Sequence, residues 1–220
     1  MAQPHLPCSR MVFTDFDGTI TDTETLMGLM MELVPQKAQT IGEKLFKGEV
    51  TLRKGVRELI ESIESKQYGF IVEYSRTCRI RQGFGELLDY LDSLGVPLVV
   101  ISGGLKVMVE TVLGPLVSRC KDIWAVDIAA DGPFLKAVSP LQSQTELVDK
   151  RRILSGYYCK EPVVIGDGIT DIEMSKAASL VFARKRLGRH LDRENISYLL
   201  WKDFSDVQKA LEERWGRGRT

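Results

Sequence analysis

Short apolar runs alternate along the chain with amphipathic stretches. Four of these runs are rich in Val and Ile and apolar on both faces, which is typical of buried parallel strands. They are MVFTDF (11–16), PLVVIS (97–102), PVVIG (162–166) and SLVFA (179–183). A helical pattern precedes the second run at 85–95 and ends at a glycine, and further helical patterns follow the second and third runs. The repeated order of strand, loop and helix predicts an α/β fold with a parallel sheet flanked by helices.

Two segments interrupt this alternation. Roughly 80 residues separate the first predicted strand from the second, far more than a crossover connection requires. Because this segment shows helical spacing, we predict a helical cap at 24–84, inserted into a core made of 1–23 and 85–220. At 123–138 an Asp-Gly pair lies between apolar flanks, which predicts a hairpin.

Composition narrows the classes of function. The chain has 220 residues and 44% hydrophobic content, enough for one sizeable domain with a smaller lobe. Because Lys plus Arg and Asp plus Glu both number 30, neither nucleic acid nor an anionic membrane is expected as the main partner. We find no apolar run of about 18 residues and no signal-peptide core near the start, so we expect neither a membrane span nor export. The four scattered cysteines favour reduced thiols in the cytoplasm, and a redox pair stays open as a minor alternative.

Polar side chains follow three of the predicted strands. They are Asp15 and Asp17 after the first, Ser102, Gly103 and Gly104 after the second, and Asp167 and Asp171 after the third. Ligands bind beyond the carboxyl ends of strands in open parallel sheets, so these groups are expected to meet at one edge. Four carboxylates repel each other unless compensated, and Mg²⁺ with oxygen ligands is the natural compensation. Lys150 can supply one more positive charge.

This set of side chains contains the parts needed to hydrolyse a phosphate ester. An aspartate near a metal can attack phosphorus, while the metal and a lysine shield the phosphoryl charge. The period of two places Asp17 on the same strand face as Asp15, where it can protonate the leaving oxygen and then activate water. Ser102 and the N–H groups of the SGG stretch can hold phosphoryl oxygens at a helix N-terminus.

Four motifs in order resemble those of the haloacid dehalogenase-like (HAD) phosphatases: FTDFDGTIT, VVISGG, Lys150 and VVIGDGITD. The match frames residues 12–171 and implies a Rossmann-like core with a helical cap. The resemblance further implies Asp15 as nucleophile and Asp17 as general acid and base. It implies Ser102 and Lys150 on the phosphoryl group, and Mg²⁺ held by Asp15, the main-chain carbonyl of Asp17, and Asp167, with Asp171 in support.

Several alternatives stay open beside this interpretation. Lys136 and Lys160 compete with Lys150 for the role of phosphate-binding lysine. A phosphotransferase or mutase, and a module that only binds metal and a phosphorylated ligand, use the same residues. We do not expect catalysis by His5 or His190, and the basic run RKRLGRH (184–190) is expected to be a solvated face.

The cap carries the signals for the substrate, which we expect to be a small phosphorylated metabolite. Glu24 stands nine residues after Asp15, where phosphoserine phosphatases carry a glutamate that binds the substrate amine. Gly55, however, stands where those enzymes carry an arginine for the substrate carboxylate. Arg53 or Arg57 could replace that arginine only from another direction along the helix. Phosphoserine phosphatase is therefore kept as an alternative.

Further stretches resemble the methionine-salvage phosphatases that act on 2-hydroxy-3-keto-5-methylthiopentenyl-1-phosphate. They are KGVRELI, IRQGFGELLDYL, VISGGLKVMVETVL, VFARKRL and ENISYLLWKDFSDV, and they cover the cap and the C-terminal part of the chain. An apolar cap pocket lined by Met27, Met30 or Met31 would suit a methylthio group. We therefore expect a monomeric or homodimeric cytoplasmic enzyme of methionine salvage.

Overall fold

The computed structural model describes residues 8–216, so His5 lies outside the described residues. Within this range one seven-stranded sheet runs in the order β4-β3-β2-β1-β5-β6-β7. The strands are β1 (Cys8–Thr14), β2 (Leu98–Leu105), β3 (Asp122–Ala129), β4 (Lys136–Val138), β5 (Cys159–Gly166), β6 (Leu180–Ala183) and β7 (Leu199–Leu200). Neighbouring strands are parallel except for β3 and β4, which confirms the predicted α/β fold.

Five α-helices lie between β1 and β2, and the first four lie inside the segment predicted as a cap. These four are α1 (Thr25–Leu33), α2 (Pro35–Phe46), α3 (Leu52–Ile60) and α4 (Tyr68–Thr77). The remaining helices accompany the sheet: α5 (Phe84–Ser93), α6 (Lys106–Leu113), α7 (Lys150–Ser155), α8 (Ile172–Ser175), α9 (Lys185–Arg193) and α10 (Phe204–Trp215). The predicted boundaries of cap and core stay a prediction. In the described range no helix has both the length and the apolar character that crossing a bilayer requires.

The central strands are apolar throughout because both faces of the sheet are covered. Phe13 points into a core cluster that it shares with the cap helices, whereas its neighbour Val12 points into a second cluster with α5 and α10. This alternation follows from the period of two in a strand. Strand β1 lies between β2 and β5, with Val12 opposite both Leu98 and Val163. The first predicted acid-bearing strand is therefore the centre of the sheet.

The hairpin predicted at 123–138 is present, with Asp127 opposite Val138 across β3 and β4. The predicted end of the first strand was wrong, because β1 stops at Thr14 and does not continue to Phe16. Beyond Thr14 the chain turns, and Gly18 adopts a φ of 72° that favours glycine. The two acids of this motif consequently lie after the strand and not on it.

The connections that enter and leave the helical insert run side by side. Thr21 and Ile80 form an antiparallel bridge, and the backbone N–H of Arg81 donates to the Ile20 carbonyl at 2.7 Å. The chain therefore leaves the core and returns to it next to the turn that follows β1.

All four cysteines, Cys8, Cys78, Cys120 and Cys159, are free thiols. Cys8 and Cys159 are opposite each other on β1 and β5. Burial and the neighbouring Cys8 raise the pKa of Cys159 to about 12. A thiol with a raised pKa forms little of the reactive thiolate, so we do not propose Cys8 and Cys159 as a redox pair.

Candidate active site

The carboxyl edge of the sheet brings together acids that are far apart in the sequence. Asp15 directly follows β1 and Asp167 directly follows β5, and these two strands are paired. One carboxylate oxygen from each of Asp15, Asp167 and Asp171 lies within 4.8 Å of the other two, and all three residues are buried. The predicted meeting of the two aspartate motifs at one edge is thus seen directly.

Lys150 reaches into this cluster from the start of α7. Its ammonium donates to Asp15 Oδ1 at 2.5 Å and to Asp171 Oδ1 at 2.7 Å, and its side chain is only 2% exposed. Burial lowers the pKa of Lys150, but the two carboxylates outweigh burial and raise it, so the lysine stays charged. The competing candidates are elsewhere: Lys136 is exposed on β4, and Lys160 is exposed near the start of β5, at the opposite end from Asp167.

Asp15 has the environment of a buried carboxylate beside a single ammonium. Burial raises the pKa of Asp15 well above its ordinary value, and the charge of Lys150 opposes this effect. The neighbouring Asp171 and Asp167 carboxylates push the pKa of Asp15 in the same direction as burial. Further positive charge at this position would favour the ionised form of Asp15.

Asp17 lies in the turn after β1 and ties that turn to the first helix of the insert. Its Oδ1 accepts hydrogen bonds from the Thr25 N–H at 2.8 Å and the Leu26 N–H at 3.2 Å, and from the Thr25 hydroxyl. The prediction that Asp17 shares a strand face with Asp15 was wrong, because β1 ends at Thr14 and Asp17 lies in the turn that follows it. Burial raises the pKa of Asp17, and the bonds from Thr25 and Leu26 oppose the rise. A raised pKa suits a group that carries a proton near neutral pH.

Asp171 uses both carboxylate oxygens to hold the site together. Oδ1 accepts from Lys150, while Oδ2 accepts from the N–H groups of Asp167 at 3.1 Å and Gly168 at 3.0 Å. A Cβ at Gly166 would lie 2.6 Å from Asp171 Oδ2, so only glycine allows this close approach. These contacts suit the supporting role predicted for Asp171, and direct metal ligation by this residue stays a prediction.

The prediction that Ser102, Gly103 and Gly104 follow the second strand was wrong, because β2 continues to Leu105 and these residues form an irregular part of it. The register with β3 shifts between Ile101 and Leu105, as in a β-bulge, and bulges of this kind re-aim residues at functional edges. Ser102 is fully buried, and its hydroxyl accepts the Gly104 N–H at 3.0 Å. A Cβ at Gly104 would lie 2.8 Å from Asp17 Oδ2, whereas Gly103 borders open space. The SGG stretch therefore adjoins Asp17, as a phosphate cradle would require.

Lys185 is a charged residue of this site that the sequence prediction missed. It lies at the start of α9, and its ammonium is 2.8 Å from Asp167 Oδ2. The backbone N–H of Leu187 also donates to the Asp167 carbonyl at 3.0 Å. The expectation that 184–190 is only a solvated face was wrong at this position. The available signal was that this run follows strand β6, whose carboxyl end lies at the same edge as Asp167.

Arg81 is a second residue that was not predicted. Its Nε donates to the Thr19 carbonyl, and its Nη2 donates to the carbonyls of Gly18 and Thr21, each at 2.8 Å. Its guanidinium lies 5.6 Å from the ring of Trp201. One side chain from the returning connection therefore fixes the backbone of the turn that carries Asp17.

On the insert, Glu24 immediately precedes α1 and is exposed. Partial burial raises the pKa of Glu24, and the negative charges of Asp167 and Asp17 add to the rise. Met27 and Met31 are 41% and 49% exposed, whereas Met30 is 1% exposed and belongs to the core. Of the three methionines considered for an apolar pocket, only Met27 and Met31 are accessible.

The helix α3 shows where an arginine for a substrate carboxylate would have to fit. A Cβ at Gly55 would lie 2.9 Å from Ile41 Cγ2, so this position is packed against α2. Arg53 donates to the Ser143 carbonyl and Arg57 to the Ala137 carbonyl, both at 2.9 Å. Both arginines are therefore engaged with the segment around β4 and the loop before α7, and not with the acid cluster.

The donor set fits a hard divalent cation. Three buried carboxylates are paired with two ammonium groups, Lys150 on Asp15 and Asp171 and the partly exposed Lys185 on Asp167, so the cluster has an excess of negative charge. Carboxylate oxygens are the ligands that Mg²⁺ prefers, and Mg²⁺ also retains water or phosphate oxygens. The carboxylates of Asp15 and Asp167 lie in this cluster, and their ligation of the ion together with the main-chain carbonyl of Asp17 stays a prediction.

A carboxylate cluster and a buried lysine at the carboxyl edge of a parallel sheet, beside a helical insert, define an α/β enzyme of the hydrolase class. The family model described as haloacid dehalogenase-like hydrolase matches residues 10–179. The chain therefore belongs to the haloacid dehalogenase-like hydrolase family, as the four motifs predicted.

Curated relatives match the chain over nearly its whole length. A protein of Microcystis aeruginosa (strain NIES-843 / IAM M-2473), named 2-hydroxy-3-keto-5-methylthiopentenyl-1-phosphate phosphatase, is 40% identical over 92% of this chain and 98% of its own. A protein of the same name from Bacillus mycoides (strain KBAB4) is 30% identical over 93% of this chain and 96% of its own. The predicted resemblance to these phosphatases is confirmed.

Solved structures share the fold at lower identity. A substrate-bound phosphoserine phosphatase complex superposes with a TM-score of 0.70 at 18% identity, covering 93% of this chain and 99% of that one. A phosphoserine phosphohydrolase-like protein from Francisella tularensis gives 0.69 at 21% identity, covering 92% of this chain and 99% of that one. At these identities the similarity establishes the fold alone.

Proposed function

We propose that the protein is a cytoplasmic Mg²⁺-dependent phosphomonoesterase that acts on 2-hydroxy-3-keto-5-methylthiopentenyl-1-phosphate in methionine salvage. The observation that carries the proposal is the buried Asp15 carboxylate held by Lys150 at 2.5 Å, beside Asp167 and Asp171. The substrate is supported by the 40% identical relative from Microcystis aeruginosa that carries this name. We propose that the protein is a monomer or a homodimer.

The first half of the reaction uses Asp15 and Asp17. Because Lys150 binds Asp15 Oδ1, Oδ2 is the oxygen that we assign to the attack on phosphorus. A bond forms between this oxygen and phosphorus as the bond from phosphorus to the substrate oxygen breaks. Asp17 gives its proton to that leaving oxygen, which releases the dephosphorylated product and leaves a phosphorylated Asp15.

The second half regenerates the enzyme. Asp17, now a carboxylate, takes a proton from water as the water oxygen attacks phosphorus and the bond to Asp15 breaks. The Ser102 hydroxyl and the Gly103 N–H would hold the phosphoryl oxygens through both steps, and the Gly104 N–H would join them once it leaves the Ser102 hydroxyl. When bound, Mg²⁺ supplies positive charge that shields the phosphoryl group from the attacking carboxylate.

Phosphoserine phosphatase activity is the second candidate, because Glu24 stands nine residues after Asp15, and burial and the charges of Asp167 and Asp17 raise its pKa. The cap argues against it. Gly55 is packed on α2, and both Arg53 and Arg57 are bound to backbone carbonyls outside the site. No arginine of α3 is thus free in this conformation to meet the carboxylate of phosphoserine.

The deciding experiment measures phosphate release by purified protein with Mg²⁺ from a panel of phosphomonoesters. We expect the highest kcat/KM for the methionine-salvage enol phosphate and a much lower value for phosphoserine. A clear preference for phosphoserine would reverse the substrate assignment, and no release from any ester would remove the enzyme proposal.

The nucleophile is tested with Asp15→Asn, with Asp22→Asn as the matched control. Asp22 is an exposed acid of the same stretch, so its neutral variant makes the same chemical change outside the cluster. We expect turnover to be lost only in the Asp15 variant, with unchanged circular dichroism in both. Labelled phosphate on Asp15 in a single turnover distinguishes an enzyme from a binding module, and transfer of the label to an acceptor identifies a phosphotransferase.

A further inference from the structure

The three buried acids at the edge of the sheet are unequally compensated. Lys150 contacts Asp15 and Asp171, at 2.5 and 2.7 Å. Asp167 is the third member of the cluster, and the ion pair that the structure gives it is with Lys185, at 2.8 Å. Two lysines from different helices therefore divide the three carboxylates between them.

Lys185 differs from Lys150 in how it is held. Its side chain is 40% exposed, whereas that of Lys150 is buried, so Lys185 can leave the cluster toward solvent without unpacking the core. Its backbone has a φ of 48°, in the left-handed region that non-glycine residues rarely occupy. Leu187, two residues later, is bonded through its N–H to the Asp167 carbonyl, which fixes the start of α9 beside this acid.

The opposite wall of this contact is Gly18. A Cβ there would lie 2.6 Å from Asp167 Oδ2 and 3.2 Å from the ammonium of Lys185. Any larger residue at this position would crowd the ion pair, so the turn after β1 leaves room for it. The contact between Lys185 and Asp167 is thus supported from both sides of the edge.

We propose that Lys185 is an internal competitor of the divalent cation at Asp167, supplying charge to the metal-free site and weakening metal binding. This inference rests on the proposed metal site. The ammonium occupies an oxygen of a proposed metal ligand, so a divalent ion must displace it or bind beside it. Both routes oppose binding, because the ammonium partly neutralises Asp167 and repels a second cation. Removing this charge should therefore tighten metal binding.

The ion pair between Lys185 and Asp167 should stabilise the metal-free protein, although it weakens metal binding. Without Lys185, Asp167 is a buried carboxylate without its ion-pair partner, and such a group destabilises the fold. Bound Mg²⁺ replaces the missing charge and restores the stability. The proposal therefore predicts lower stability without metal together with tighter metal binding, a combination that a purely structural role would not produce.

The test compares Lys185→Met with two control variants by calorimetric titration with Mg²⁺. We expect Lys185→Met to bind Mg²⁺ about fivefold more tightly, a modest factor because the pair is partly exposed. Lys185→Arg keeps the charge and should stay near the wild-type affinity. Arg186→Met removes an equal charge from the next, exposed position and should change the affinity by less than about twofold.

Urea unfolding of the same proteins gives the second readout. Lys185→Met should have a lower midpoint than wild type in EDTA, and the difference should close with saturating Mg²⁺. Unchanged or weaker Mg²⁺ binding in Lys185→Met, or an equal loss of stability with and without Mg²⁺, would overturn the proposal. So would the absence of Mg²⁺ binding in wild type and every variant. If the metal results are as expected but no ester is hydrolysed, the proposed function fails while the role of Lys185 stands.

Discussion

Replacement of Lys150 by Met should remove a large part of the stability of the metal-free protein. Methionine nearly matches the length of the lysine side chain, so the change mainly deletes the charge that lies 2.5 Å from Asp15 and 2.7 Å from Asp171. Breaking a buried ion pair by removing one partner costs about 3–5 kcal/mol. Since Lys150 is 2% exposed, solvent does not screen this cost. The cost is a large part of the free energy of unfolding of a typical protein, which is about 5–15 kcal/mol.

The loss should depend on pH in a direction that the structure fixes. Burial already raises the pKa of Asp15, and Lys150 opposes the rise, so Lys150→Met should raise the pKa of Asp15 further. A carboxyl with a raised pKa binds a proton more readily in the folded state. Its stabilising contribution is thus present at low pH and is lost as the pH rises through the folded pKa. The loss in free energy of unfolding caused by Lys150→Met should therefore be smaller at pH 5.5 than at pH 8.

Lys150 itself does not produce a pH dependence in this window. Its carboxylate partners outweigh burial and raise its pKa, so its contribution is complete below the ordinary lysine pKa of about 10.4 and is lost only at more alkaline pH. Any change between pH 5.5 and pH 8 is therefore assigned to the acids that Lys150 leaves behind.

The assay is urea unfolding followed by far-ultraviolet circular dichroism in EDTA, at both pH values. Lys160→Met is the matched control, because Lys160 is an exposed lysine near the start of β5. It should change the free energy of unfolding by less than about 0.5 kcal/mol. A loss below about 1 kcal/mol for Lys150→Met at pH 8, or an equal loss at both pH values, would refute the reasoning.

Three other substitutions test separate contacts. Asp17→Asn should slow phosphate release by about 10²–10⁴-fold with unchanged circular dichroism, because the amide cannot transfer the proton. Gly28→Ala should lose about 1–3 kcal/mol in urea unfolding, since its Cβ would lie 2.1 Å from the Tyr74 hydroxyl, and an added Tyr74→Phe should restore part of the loss. Arg81→Met leaves three carbonyls of the turn after β1 without their donor, and steady-state kinetics should show kcat falling more than KM changes.

The sequence was sufficient for the parts of the site that depend on the sheet. Strand β1 lies between two parallel neighbours, so it must be apolar on both faces, and this pattern is visible in the sequence. Once the strands are known, their carboxyl ends place Asp15 and Asp167 at one edge. The predicted lysine follows from spacing, and Lys150 does contact both aspartate motifs.

The position of Asp17 could not be predicted from strand periodicity. Its carboxylate is oriented by the N–H groups of Thr25 and Leu26 at the start of α1, so its place depends on how the insert meets the core. The turn that carries Asp17 contains Gly18 in the left-handed conformation, and Arg81 donates to three of its backbone carbonyls. These contacts join segments that local pattern rules treat separately.

Lys185 was missed for a related reason. Its neighbours Arg186 and Arg189 are exposed, so the run has the composition of a solvated face. What separates Lys185 from them is the left-handed backbone and the bond from the Leu187 N–H to the Asp167 carbonyl, a contact between segments 20 residues apart that requires the tertiary fold. Charge patterns in a sequence identify a basic surface, but they do not identify which member of it turns inward.

The division between core and cap explains why the chemistry was easier to predict than the substrate. Phosphoserine phosphatases superpose on this chain at a TM-score of 0.70 with 18% identity, so the fold leaves the substrate open. The discriminating position is Gly55, which α2 covers so closely that a Cβ would meet Ile41 at 2.9 Å. An arginine introduced there would have to separate α2 from α3 before it could reach a substrate. The packing of α2 on α3 therefore closes the position at which the sequence comparison predicted an arginine for a phosphoserine phosphatase, while the buried acids and Lys150 lie together at the edge of the sheet.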